Sequence, residues 1–114
     1  MKTAEKQVSQ GDLYFTRVDA LPDGVTEVKT RPFVLAGNSQ SGRHTAEGKD
    51  IKFYTQDQFT SYLVLGSENA TINHAQTTSR HHLPFQLASS GSGTVWRVRK
   101  QRESVPGGYR QVQD

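Results

Sequence analysis

The sequence predicts an all-β fold, a small sandwich or barrel of about eight or nine short, mainly antiparallel strands behind a polar N-terminal arm. Three observations predict it. Short runs of aromatic and β-branched residues recur along the 114 residues, and clusters of Gly, Pro, Asn, Asp and Ser separate them. Apolar residues alternate with polar ones at period two in several of those runs. Nowhere is an apolar pattern at i, i+3, i+4, i+7 sustained past two turns, and no internal repeat of propeller or solenoid length is visible.

The elements follow in order. Residues 1–10 are polar and lack periodicity, which suggests a flexible or partner-ordered arm, with a single β domain over 11–114. Leu13 to Val18 has strand composition. Leu21-Pro22-Asp23-Gly24 supplies a turn, predicting a hairpin into Val25 to Lys29. Phe33 to Ala36 is a short apolar run, and Gly37 to Gly42 after it has loop composition. A turn at Glu47 to Asp50 leads into a strand on which Ile51, Phe53 and Thr55 share one face. Phe59 to Leu65 ends at Gly66, and Ala70 to His74 resumes after Ser67-Glu68-Asn69, a spacing that suggests a hairpin or meander. Leu83, Phe85 and Leu87 alternate with Pro84 and Gln86. Proline cannot donate to a ladder, so an edge strand or a bulge is expected there. Ser89 to Gly93 reads as a flexible loop. Thr94 to Gln101 is the clearest strand: Val95, Arg97, Arg99 and Gln101 face one way, and Trp96, Val98 and Lys100 face the other.

Composition limits the core. A hydrophobic fraction of 32% and a mean hydropathy of −0.72 allow only a thin one, and thin cores lean on a partner or on self-association. The absence of cysteine excludes disulfides, thiolate metal sites and cysteine nucleophiles. No apolar run reaches the length of a signal peptide core or a membrane span, so neither export by that route nor membrane insertion is expected. Residues 1–79 hold eight Lys/Arg against nine Asp/Glu, whereas 80–114 hold six against two, so the net charge of +3 belongs to the last third.

Little in the chain has the pattern of catalysis. The serines lack a Gly-x-Ser-x-Gly elbow, and acid pairs such as Asp12 with Asp19, or Glu47 with Asp50, fall at strand ends and turns where solvated acids are ordinary. His44, His74, His81 and His82 are the only candidate metal ligands, because imidazole ligates Zn, Ni or Fe. A hairpin would bring His74 near His81-His82. Those two would then point to opposite faces, and no Asp or Glu lies between residues 69 and 102 to orient a ligand set. Surface imidazoles beside a turn explain the same residues, so no metal or other cofactor is expected.

The basic run Arg97, Arg99, Lys100 and Arg102, with Trp96 beside it, offers phosphate contacts and an aromatic platform. Alternation separates Trp96 and Lys100 from Arg97 and Arg99, so only weak, sequence-blind nucleic-acid binding is expected. The arginines should instead pair with acids on a neighbouring strand or subunit.

The segments His82-Leu83-Pro84-Phe85-Gln86-Leu87, Gly93 to Glu103 and Arg110-Gln111-Val112-Gln113-Asp114, with Gln10-Gly11-Asp12-Leu13 and Val18 to Pro22, resemble a family of small uncharacterised proteins of tailed phages and bacteria. In that family a Gly-His-x-His segment and a His-rich segment before the His-x-Pro stretch look like a metal constellation. Here the middle segment is Gly42-Arg43-His44-Thr45, so one imidazole is displaced or missing, and only His44, His74 and His82 remain as weak candidates.

Together these features lead us to expect a non-enzymatic structural or interaction protein of a phage virion, of the capsid-decorating kind. It would act through self-association and through binding a larger protein assembly, in the virion or the host cytoplasm. Arg97, Arg99, Lys100 and Arg102 are the expected inter-subunit or partner contacts. The alternatives are a host-defence inhibitor or nucleic-acid-binding small barrel that uses the Arg97 to Arg102 strand, and a cupin-like metalloenzyme that uses the histidines.

Overall fold

The structure, a computed structural model, describes residues 1–36, 44–74 and 83–100, with Ala36 and His74 described through their backbones alone. These residues form eleven strands and no helix: β1 (Lys2–Ala4), β2 (Gln7–Gln10), β3 (Leu13–Val18), β4 (Thr26–Val28), β5 (Phe33–Ala36), β6 (His44–Glu47), β7 (Lys52–Thr55), β8 (Thr60–Leu65), β9 (Ala70–His74), β10 (Phe85–Leu87) and β11 (Thr94–Lys100). They make a five-stranded sheet in the order β1-β10-β9-β6-β5 and a six-stranded sheet in the order β2-β3-β11-β8-β7-β4. All pairs are antiparallel except β1 with β10. The all-β sandwich-like fold expected from period-two alternation is therefore present.

The core lies between the sheets. One face of β11, β8 and β3 contributes Trp96, Val98, Leu63, Leu65, Leu13 and Phe15, and the other sheet contributes Ala46, Ala70, Ile72, Phe85, Leu87 and Phe33. Phe15 meets Phe85 edge-on across the layers at 5.3 Å between ring centroids, an arrangement that sets ring edge against π-face. Trp96 is fully buried and donates its Nε1–H to Ala88 O at 3.0 Å, so its one polar atom is satisfied inside the core.

Several local expectations are corrected. The first ten residues are not a free arm: β1 and β2 extend opposite sheets, and Val8, Ser9 and Gln10 are buried. Edge pairing needs backbone hydrogen bonds and no apolar period, so polarity in this stretch gave a misleading signal. The turn at Leu21 to Gly24 does not close a hairpin, because β4 pairs with β7 at the edge far from β3. Nor do β8 and β9 form a hairpin: the segment between them carries the chain from the six-stranded sheet to the five-stranded one. Gly66 begins that crossing where a Cβ would lie 3.0 Å from Lys49 O and from Asp50 Cβ, a close approach that favours glycine. Pro84 stands just before β10 rather than inside it, and β10 is interior because β1 covers its other side.

The Ser89 to Gly93 loop is tied down as well. Ser89 N donates to Asn69 Oδ1 at 2.9 Å, Ser89 Oγ donates to Gly66 O at 2.6 Å, and Thr94 Oγ1 donates to Gly91 O at 2.7 Å. Gly91 and Gly93 supply the positive φ values this turn requires. The expected loop at 37–42 lies outside the described residues, and the strands flanking it, β5 and β6, pair with each other.

Candidate interaction site

β11 runs through the middle of the six-stranded sheet with β3 on one side and β8 on the other. Trp96 and Val98 occupy its core face, so alternation directs Arg97 and Arg99 to the outer face, as the sequence predicts. Arg97 lies opposite Thr16 of β3 and Tyr62 of β8, and Arg99 lies opposite Tyr14 and Thr60. Among the described residues no acid is the register partner of either arginine, so the strands beside β11 do not supply the expected acids. Among the described residues Arg97 and Arg99 make no ion pair, and Arg97 Nε is buried without a hydrogen-bond acceptor. A buried unsatisfied donor costs about 1–3 kcal/mol, so the arrangement is one that an acceptor from outside the chain would improve. Tyr14 and Tyr62, both on this outer face, are 5% and 6% exposed and present no open ring face for a base to stack on.

Lys100 separates from the arginines. It follows Trp96 and Val98 on the core-facing row and reaches a cleft at the end of the sandwich. The cleft has a volume of about 220 Å³ and a mixed lining, with Leu13, Phe53 and Val98 beside Asp57, Gln58 and Lys100. Asp57, on its rim, accepts from Phe59 N and Thr60 N at 2.8 and 2.9 Å, which closes the β7–β8 turn. Arg102 lies outside the described residues, so the expected set is divided between two faces with its last member undescribed.

The histidines are arranged differently from the expected hairpin. His44 and His74 are register partners on β6 and β9, a juxtaposition of strands distant in sequence. His44 is 1% exposed and is held by Gln10 of β2 across the sandwich. Gln10 Nε2 donates to Leu83 O at 2.8 Å, which assigns Oε1 as the acceptor of the 2.8 Å bond from His44 Nδ1–H. Sequence reasoning places Gln10 in the family resemblance but gives it no structural role, because a buried glutamine in a polar stretch has no local signal. His81 and His82 lie outside the described residues. Among the described residues no group of three or more His, Cys, Asp or Glu side chains is close enough to hold a metal.

A domain whose described residues form strands alone, arranged in two mostly antiparallel sheets around one core, belongs to the class of sandwich-like all-β domains. Residues 9–101 match the family model described as a domain of unknown function, DUF8820, and the chain belongs to that family. No curated protein and no solved structure matches it significantly.

Proposed function

We propose that the protein is a non-enzymatic interaction module, a virion accessory β-domain of the capsid-decorating kind that associates with copies of itself and with a larger protein surface. One observation carries this reading. Arg97 and Arg99 stand on the outer face of a central strand, and the strands on both sides offer them hydroxyls and tyrosines but no carboxylate. Arginine at such a place is suited to bidentate pairing with a partner's carboxylates. Four sheet edges, β1, β5, β2 and β4, add backbone groups for strand addition. The resemblance to small tailed-phage proteins makes a capsid the first assembly to test.

Mass photometry of the purified protein, alone and with assembled capsids from its native context, is the deciding experiment. Self-association and saturable capsid decoration are expected. A strict monomer that leaves capsids bare refutes the proposal. Nucleic acid is the competing partner for the same arginines. Contact with two phosphates implies a slope of log affinity against log salt of about −1.4 to −1.8, at roughly 0.7 to 0.9 per phosphate. Submicromolar binding to single-stranded DNA or RNA at physiological salt, lost in an Arg97→Ala/Arg99→Ala variant that still self-associates, would favour that partner instead.

A further inference from the structure

The outer face of the six-stranded sheet carries a row of side chains whose order makes it complementary to itself. Glu27 of β4 is the register partner of Tyr54 of β7, Tyr54 is the partner of Tyr62 of β8, and Tyr62 is the partner of Arg97 of β11. All four point away from the core, because their neighbours Val28, Phe53, Leu63, Trp96 and Val98 pack into it. The row therefore reads acid, tyrosine, tyrosine, arginine at equal strand steps. Its charged ends are three strands apart, about 14 Å at the usual strand spacing of about 4.8 Å.

We infer that this face is an isologous dimer interface, in which a second copy lays the same row against it in reverse. The twofold axis lies in the interface, parallel to the strands, midway between β7 and β8. It sets Glu27 of each copy against Arg97 of the other, and Tyr54 of each against Tyr62 of the other. A twofold contact requires a self-complementary patch, and reversal of this row meets that requirement at every position. In the next row Lys52 is the register partner of Val64, so the same rotation sets each Lys52 opposite Val64 of the other copy and brings no two of these lysines face to face.

Burial and charge agree with this occupant. Glu27 is exposed and makes no hydrogen bond or ion pair among the described residues, while Arg97 is half-buried with an unsatisfied Nε. Within one chain the two cannot meet, since two tyrosine-bearing strands separate them. Tyr62 lies low in the face at 6% exposed, so each half-buried Tyr54 packs over the recessed Tyr62 of the other copy, between the two Glu27–Arg97 pairs. A second copy supplies the acid, the base and the aromatic surface at the matching spacing.

The inference rests on the self-association proposed above, and charge exchange separates the two. Dimerisation of the full chain is measured by analytical ultracentrifugation for the wild type, Glu27→Arg, Arg97→Glu and the double exchange, with circular dichroism confirming that each is folded. We expect each single change to weaken dimerisation at least about tenfold, and the double exchange to recover to within about threefold of wild type, since it restores both pairs with reversed sign. A wild type that associates while the single changes leave its affinity unaltered overturns this interface and leaves self-association standing. A monomeric wild type overturns both. Because the chain has no cysteine, a second measurement needs no background correction. A short bis-maleimide should cross-link a mixture of Glu27→Cys and Arg97→Cys chains far faster than either variant alone, and equal rates in all three samples would also overturn the interface.

Discussion

Gln10 joins parts of the chain that the sequence separates by more than thirty residues in one case and more than seventy in the other, through His44 and Leu83 O. The bond to His44 is buried, so that imidazole N–H has no water as a substitute, whereas the bond to Leu83 O is part-buried and Leu83 itself is exposed. Gln10→Leu keeps the volume but strands a buried imidazole N–H, and should cost about 1–3 kcal/mol, the usual range for one buried unsatisfied group. Urea denaturation checks this, and a loss below about 1 kcal/mol would mean that the network has little weight. Trp96 has a comparable role in the core. Trp96→Phe removes the donor to Ala88 O and part of the indole volume, with an expected loss of about 2–4 kcal/mol in the same measurement.

At the scale of elements, the N-terminal strands change most from the sequence expectation. β1 pairs in parallel with β10 through Lys2, Thr3 and Ala4, and β2 pairs with β3 through four register positions. Deletion of residues 1–10 would bare one edge in each sheet, remove the buried Val8 and break the Gln10 network. Thermal unfolding should register a loss of at least about 2.5 kcal/mol from the side-chain terms alone, accompanied by aggregation through the bared edges. A truncated protein as stable and soluble as the full chain would show that the first ten residues behave as the dispensable arm their composition suggests.

For the whole molecule, the paired strands of His44 and His74 raise a question of metal that elemental analysis answers directly. Among the described residues no group of three or more His, Cys, Asp or Glu side chains approaches the four ligands of a structural zinc site, so the protein purified without a histidine tag should contain no stoichiometric transition metal. About one Zn or Fe per chain, lost in His44→Ala, would instead point to a metalloprotein.

Strand content, the facing of β11 and the burial of Trp96 follow from the sequence by itself, because alternation and β-propensity act over a few neighbouring residues. The separation of Arg97 and Arg99 from Lys100 follows from that same period of two. Which strands pair is another matter. β4 beside β7, β1 beside β10 and His44 opposite His74 depend on contacts between distant segments, and a turn of the same composition can close a hairpin or carry the chain to the other sheet. The buried Gln10 and the row from Glu27 to Arg97 exist only once those pairings are made. Tertiary structure decided them because a polar side chain has no periodic signature of its own, and its energy depends on which acceptor or donor the fold brings within reach.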